Sequence, residues 1–240
     1  MINLRNLVNR IRILSGLRNS TYLHNTEIKD LVQTALNYIY NQIVLENENF
    51  FLENPYPVQL REDETAINLN ILPRKLFKIR SLLCFYNTIP YQMMPISIQK
   101  LGDNSEFKYQ QLYNWYNLPL WYVLEADKIS IYPENAANIP NSYELRCVLE
   151  APVLPDEPAG TNDPWEININ LIKGIDDFLA YHTASDCTDV QQLKSTWMTK
   201  AKVLEQQVMS WVMSRDTSYL QTIRRVRPPK KIEGYEYGLY

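Results

Sequence analysis

Residues 26–43 read TEIKDLVQTALNYIYNQI, and this stretch decides the helical half of the fold. Its apolar residues recur at intervals of three and four, which predicts an amphipathic α-helix with one broad buried stripe. Asn25 or Thr26 is suited to cap the start of this helix, and the polar run from Glu46 to Asn49 marks its end. The stripe consists of Ile28, Leu31, Val32, Ala35, Leu36, Ile39 and Ile43.

A shorter helix is predicted at the N-terminal side of this one. Asn3 is suited to cap it, and Gly16 stands where a helix commonly ends. Arginines occupy the face opposite its apolar residues. The apolar positions are Leu4, Leu7, Val8, Ile11 and Leu14.

The pattern changes to a two-residue period after Pro55, which indicates β-strands. Ile67, Leu69 and Ile71 alternate with asparagines, and residues 77–86 form a second β-rich run. The polar residues 125–128 separate two apolar runs, so we predict a hairpin there. A last alternating strand is formed by Tyr143, Leu145, Cys147 and Leu149.

Two further helices are predicted after a proline-rich exit from this region. Asp163 as cap, Pro164 at the first helical position and Glu166 at the third indicate the start of a third helix. Thr188 and Gln191 form a capping box ahead of a fourth helix of about 26 residues. The third helix carries Ile169, Ile172, Ile175, Leu179 and His182 on one side. The fourth has a seven-residue repeat of Val190, Trp197, Leu204 and Trp211, joined by Leu193, Ala201 and Val208.

These elements predict an α+β fold: an antiparallel helical bundle with an inserted small, mostly antiparallel β-rich module and an extended C-terminal arm. The expected segments are residues 1–54 for the first two helices, 55–160 for the β-rich insertion, 161–222 for the last two helices and 223–240 for the arm. The arm surrounds a Pro-Pro pair with cations and ends in tyrosines, so it cannot continue a helix.

Composition narrows the class of protein. The chain has 240 residues, 45% of them hydrophobic, and a net charge of -3, whereas a protein that grips nucleic acid over its whole surface is strongly basic. Its apolar stretches are too short to span a bilayer, so we expect no membrane insertion. We see no secretion signal. Three widely spaced cysteines without a CxxC pair favour a reducing interior over a disulfide framework.

No motif for catalysis or for a cofactor is present in the sequence, which lacks GxSxG, GxxxxGK[ST] and GxGxxG patterns. His24 and His182 lie in no metal-binding pattern, so we interpret His182 as a core residue and His24 as a capping or solvent-facing one. We therefore expect no catalytic residue, metal or cofactor. Two carboxylate pairs keep glycoside hydrolysis open as an alternative. They are Glu46 with Glu48, and Asp176 with Asp177.

Aromatic side chains indicate surfaces for protein partners. A cluster between residues 113 and 122 could stack nucleic-acid bases, but cations are sparse beside it, so packing against a sheet or a neighbouring subunit is favoured. We interpret Trp115, Tyr116, Trp121, Trp197 and Trp211 as subunit or tail-interface residues. In the arm, a solvated end is the alternative to partner binding, which three tyrosines favour. The predicted arm contacts are Arg224, Arg225, Arg227, Lys230, Lys231, Tyr235, Tyr237 and Tyr240.

The order of these pieces resembles the head-to-tail adaptor (connector, head-completion) proteins of tailed bacteriophages, especially short-tailed ones. The likeness covers nearly the full chain and depends on order, because each piece by itself is weakly specific. The pieces are Thr26-Glu27-Ile28 at a helix start, Leu72-Pro73 before residues 77–83, Ile131-Tyr132-Pro133 after a hairpin, residues 143–152 leading to a proline, and Pro164-Trp165.

The resemblance implies a non-enzymatic homo-oligomeric ring, commonly twelvefold, in the neck of a virion whose parts are made in the host cytoplasm. Such a ring binds the portal protein, presents a surface to a tail or neck protein and lets DNA pass through its lumen without sequence-specific binding. The arm would reach into the portal. The alternatives are a virion-associated cell-wall lytic glycosidase and a DNA-binding accessory protein.

Overall fold

The computed structural model describes residues 2–17, 23–47, 50–51, 53–61, 64–97, 121–132, 142–160, 163–167 and 172–224, with the backbone alone for 215–224. The chain divides into two compact units. One combines Met1–Asn47 with Val153–Tyr240, and we call it the helical unit. The other, Glu48–Pro152, is the sheet unit.

The described part of the helical unit contains four α-helices and one short strand pair. The helices are α1 (Leu4–Leu14), α2 (Asn25–Glu46), α3 (Ile175–Cys187) and α4 (Gln191–Arg224). Strand β1 (Ile2–Asn3) pairs antiparallel with β9 (Glu166–Ile167).

Helix α3 is the centre of this unit, because α1, α2 and α4 all pack on it while α1 and α2 barely meet. Its side chains are buried nearly all round, as Phe178, Leu179, Ala180 and Ala184 show. A helix that is buried on most of its sides needs neighbours on most of its sides. Helices from both the N-terminal and the C-terminal part of the chain therefore pack around α3.

The sheet unit is built on one mixed sheet of seven strands that curls until it is nearly closed. The strands are β2 (Tyr56–Gln59), β3 (Ala66–Asn68), β4 (Leu76–Tyr86), β5 (Ile89–Pro95), β6 (Trp121–Leu124), β7 (Lys128–Tyr132) and β8 (Ser142–Leu149). Their order is β2-β8-β4-β5-β6-β7-β3, and β5 with β6 is the parallel pair.

The inward-facing side chains of all seven strands form a single core. Tyr143, Leu145 and Cys147 of β8 face it at alternate positions, as the two-residue period predicts. Arg74 ties the entry of the sheet unit to its exit: its guanidinium donates to Glu53 Oε1 and to the Glu150 carbonyl, each at 2.6 Å.

The predicted fold class is therefore wrong in its main statement. The protein is α+β, but it is not a helical bundle with a small β module, since the sheet is large and has its own core. Strands β2 and β5 were missed because their stability comes from pairing with other strands and not from a local pattern. β2 and β5 even contain prolines, Pro57 in the edge strand β2 and Pro90 and Pro95 in β5.

The predicted start of the third helix is also wrong. Glu166 and Ile167 form β9, and α3 begins eight residues after Ile167, at Ile175. Trp165 is buried, its Nε1 donates to the Pro155 carbonyl at 2.9 Å and its own carbonyl accepts from the Leu4 amide at 2.8 Å. This tertiary pairing outweighs the local helix-start signal.

Three predicted boundaries shift as well. Helix α2 is capped by His24, whose amide donates to Glu27 at 2.7 Å, while Asn25 instead binds Arg12 and Glu157. Thr188 is the C-cap of α3 and does not form the predicted capping box at the start of α4. Helix α4 is 34 residues long and ends at Arg224. A helix that is already nucleated gains one backbone hydrogen bond for each residue that it adds.

One predicted strand is shorter than its alternation indicated. Ile67 lies in β3, but Leu69–Ile71 forms a turn of 3-10 helix, started by the Asn68 side chain, which accepts from the Asn70 amide. The side chain of an asparagine competes with the sheet for backbone groups. The hairpin of β6 and β7 is confirmed, with Glu125 and Lys128 closing its turn.

Candidate interaction surface

Two grooves lie on either side of Trp211 where α1, α3 and α4 meet. The first, between α1 and the start of α3, has a volume of about 660 Å³. The second, between the start of α3 and α4, has about 680 Å³. Both are lined by Lys173 and Trp211. We call the residues lining the two grooves the Trp211 surface.

Local residues fix where α1 and α3 begin beside the first groove. Asn3 accepts a hydrogen bond from the Asn6 amide at 3.0 Å and so fixes the start of α1 at the first groove. Gly174 begins α3 with a φ of 84°, a left-handed conformation that costs glycine little. The chain can therefore turn sharply between Lys173 and Ile175, which line the first groove.

The floor of the first groove is apolar and its rim is polar. Trp211 spans both grooves from α4, and the uncharged side chains Gln206, Gln207 and Ser210 line the second. The apolar lining of the first groove consists of Ile2, Leu7, Ile172, Ile175 and Trp211. An apolar floor with a polar rim is the composition of protein interfaces.

An ion pair holds the middle of the surface. Arg10 Nη2 lies 2.6 Å from Asp177 Oδ1, and the guanidinium carbon lies 5.5 Å from the centre of the Tyr181 ring. Burial by itself lowers the pKa of Arg10, but the hydrogen bond and charge of Asp177 outweigh it and raise that pKa. Arg10 thus stays a cation that joins α1 to α3.

The charges of the Trp211 surface balance. Two cations, Arg10 and Lys173, accompany two carboxylates, Asp176 and Asp177, among the described lining residues. A surface without net charge offers no attraction to phosphates or to a strongly charged peptide.

Trp197 has a role inside its own subunit. Its Nε1 donates to the Leu14 carbonyl at 3.0 Å, which closes the end of α1 against α4. The Lys200 ammonium lies 4.8 Å from the centre of the Trp197 ring and 5.3 Å from that of Tyr181. These cation–π contacts stabilise the packing of α3 against α4.

The remaining predicted interface residues lie elsewhere. Trp121 opens β6 in the sheet unit and is 8% exposed, so its ring contributes mainly to packing within that unit. Trp115 and Tyr116 lie outside the described residues. Arg224 is the last residue of α4, and the rest of the predicted arm, residues 225–240, also lies outside the described residues.

His182 and the two carboxylate pairs lie in different surroundings. His182 is half-buried between the rings of Tyr38 and Phe178, with Nδ1 3.5 Å from Asp186 Oδ2. Of the carboxylates, Asp177 is engaged by Arg10, and Glu46 is the last residue of α2. Glu48 lies outside the described residues.

Sequence reasoning missed Arg10 and Lys173 as members of the Trp211 surface, and it missed the cation–π contacts of Tyr181 with Arg10 and Lys200. The arginine face of α1 was visible, but its partners on α3 and α4 are far away in the sequence. The hydrophobic periodicity of α1 does not indicate which helix it packs against, so the contact with α3 could not be predicted. The one available signal was Trp211 in its heptad position.

The described ranges contain no group of three or more potential metal ligands. Nor do they include a helix both long and apolar enough to cross a membrane. No protein-family model matches the chain, and no curated protein matches it either.

Proposed function

We propose that this chain is a structural head-to-tail adaptor of a tailed bacteriophage, a non-enzymatic subunit of a ring that joins the portal to the tail. The ring lets DNA pass from the capsid. This function belongs to a protein of the virion neck, made in the host cytoplasm. The order of the first two helices, the hairpin and the following strand supports the proposal, whereas Pro164-Trp165 precedes a strand and not the helix that the resemblance implied.

The observation that carries the proposal is the length of α4. Its last described buried side chain is that of Val212, yet the helix backbone continues for twelve residues to Arg224. At 1.5 Å per residue this is a rise of about 18 Å from Val212 to the end of α4. The cationic, tyrosine-ended segment starts at that end of the helix.

The composition of that segment suits a protein partner. Five arginines and lysines in residues 224–231 can pair with carboxylates, and three tyrosines in residues 235–240 provide anchors for apolar pockets. The ring requires a second contact, between neighbouring subunits, and the Trp211 surface offers an apolar floor for one.

The test mixes the purified chain with the portal ring of the same phage and images the product. We expect a ring of the chain bound at one end of the portal, together with a mass increase by a multiple of 28.3 kDa. A chain that stays monomeric, both alone and with the portal, contradicts the proposal.

The two alternatives give different results in the same preparation. A lytic glycosidase releases reducing sugar from peptidoglycan, whereas the adaptor does not. A DNA-binding accessory protein binds duplex DNA with an affinity that falls steeply with salt and is lost without residues 223–240. The adaptor loses portal docking on the same deletion.

A further inference from the structure

We propose that residues 153–160 form a strap that latches α1 to α2 and detaches from α2 as a unit while the helices stay folded. We call this segment the strap. A latch is needed because α1 and α2 barely meet each other directly. The inference concerns the helical unit alone and does not rest on the proposed function.

The sequence of this region favours an extended chain. Pro152, Pro155 and Pro158 recur at every third residue, which is the period of a polyproline II helix. Each proline also lacks a backbone donor and disfavours a helical conformation in the residue before it. The strap accordingly contains neither helix nor strand, so no regular backbone pairing of its own holds it in place.

One polar face of α2 receives the strap. Gln33 Oε1 accepts a hydrogen bond from the Leu154 amide at 2.7 Å, and Lys29 Nζ lies 2.5 Å from Asp156 Oδ1. Lys29 and Gln33 are four residues apart and so lie on the same face of the helix. The strap therefore runs along α2 in the direction opposite to that of the helix.

Side chains of α1 hold the other end of the strap. Asn25 Nδ2 donates to Glu157 at 2.9 Å, and Asn25 Oδ1 accepts from Arg12 Nη2 of α1, also at 2.9 Å. Arg5 Nη2, again from α1, donates to the Gly160 carbonyl at 3.3 Å. The strap is thus bound by both helices and links them.

Little buried surface keeps the strap in place. Within it only Leu154 is buried, at 3% exposed, whereas Val153 is 80% exposed. The side chain of Asp156 is 91% exposed, so water and salt screen its ion pair with Lys29. Segments with few buried apolar contacts and exposed hydrogen bonds open at a lower free energy than the core. We therefore expect the strap to open before the helices unfold.

The test measures hydrogen exchange of single leucine amides by NMR, in the full chain with isotope-labelled leucine. Leu154 reports the strap through its hydrogen bond to Gln33, and Leu36, fully buried in the middle of α2, reports the helix. We expect the Leu154 amide to exchange about 100-fold faster than that of Leu36. Low concentrations of urea should barely change the Leu154 rate, because opening of the strap exposes little surface.

Charge reversal tests the contact between the strap and α2. Lys29→Glu should speed the exchange of the Leu154 amide about fivefold, because it places a carboxylate against Asp156. Lys29→Glu combined with Asp156→Lys restores an ion pair and should return the rate close to that of the wild type. Lys202→Glu, the same reversal at an exposed position of α4, is the matched control and should leave the rate unchanged. Circular dichroism checks that every variant keeps its helix content.

Four results would overturn the inference. A urea dependence of Leu154 equal to that of Leu36 means that the strap opens only when the helices unfold. Exchange of Leu154 at the rate of an unstructured peptide means that the strap is not docked. Equal rates for Lys29→Glu and Lys202→Glu, or a double variant as fast as Lys29→Glu, mean that the ion pair does not hold the strap. None of these measurements involves the portal, so the proposed function is tested separately.

Discussion

At the residue scale, Tyr143 and Cys84 are neighbours in the core of the sheet unit. They face each other across β8 and β4, and Tyr143 is 1% exposed. Among the described residues the Tyr143 hydroxyl has no hydrogen-bond partner. Burial, followed by the nearby Cys84, raises the pKa of Tyr143, so its ring is held as a neutral phenol.

Tyr143→Phe should raise the free energy of unfolding by about 1 kcal/mol, because a buried hydroxyl without a partner keeps its desolvation cost. Denaturant unfolding measures this. Tyr143→Ala is the contrasting variant, with an expected loss of about 3–5 kcal/mol from the cavity. A destabilised Phe variant would mean that the hydroxyl has a partner.

The cysteines give a prediction about pH. Cys84, Cys147 and Cys187 are buried free thiols, and desolvation raises the pKa of each to about 11. In the unfolded chain a thiol ionises near pH 8.5. Because these folded-state pKa values are raised, the stability that the thiols contribute is complete below that pH and decreases as the pH rises toward 11.

We therefore expect none of the three thiols to react with a disulfide reagent at pH 8 in the native protein, and all three to react after denaturation. Ser195→Cys adds an exposed thiol that should react at once and so controls for the reagent. Rapid labelling of Cys84 in the native state would contradict its burial.

Thr88 is strained by its backbone. Asn87 and Thr88 form the two-residue turn between β4 and β5 and have φ values of 50° and 68°. Both angles positive define a type I′ turn, which suits Asn but not a β-branched residue.

Thr88→Gly should stabilise the protein by about 1 kcal/mol, as judged by thermal unfolding. Thr88→Ala should give a smaller gain, because alanine keeps its Cβ in the same left-handed region. An unchanged melting temperature for the glycine variant would show that the turn carries no strain.

At the scale of elements, local signals succeeded where an element depends on its own residues. The stripe of α2 and the alternation of β8 were both confirmed, as eight and five buried residues show. Local signals failed at residues 163–167, where the pairing of β9 with β1 and the burial of Trp165 replaced the predicted helix start. A helix cap is worth about 1 kcal/mol, and burial of a tryptophan is worth more.

Trp165 provides the prediction at this scale. Trp165→Ala should destabilise the protein by about 3–5 kcal/mol, and Trp165→Phe by about 1–2 kcal/mol through loss of the bond to the Pro155 carbonyl. Asp163→Ala should cost under about 0.5 kcal/mol, because no helix begins there. A cost near 1 kcal/mol for Asp163→Ala would restore the helix-start interpretation.

At the scale of the whole molecule, a discontinuous helical unit and a continuous sheet unit share one chain. The last core residue described in the helical unit is Val212. We expect a chain truncated after Arg224 to melt within about 2 °C of the full chain, because the proposed arm, residues 225–240, would bind the portal and not the core of its own subunit.

The same truncation should abolish co-sedimentation with the portal ring, since it removes four of the five predicted arm cations and all three tyrosines. Replacing Tyr235, Tyr237 and Tyr240 by serine at full length is the milder control, and it should weaken docking without changing the melting temperature. Full portal docking by the truncated chain would remove the arm from the proposed function.

The sequence by itself determined α1, α2, the β6–β7 hairpin and the alternating strand β8, because each repeats its burial pattern within one segment. Only the tertiary structure decided the size of the sheet, the strand at Glu166–Ile167 and the meeting of Arg10, Asp177 and Trp211. Those features join residues far apart in the chain. Their free energy comes from contacts between segments, and no single segment records such contacts in its own pattern.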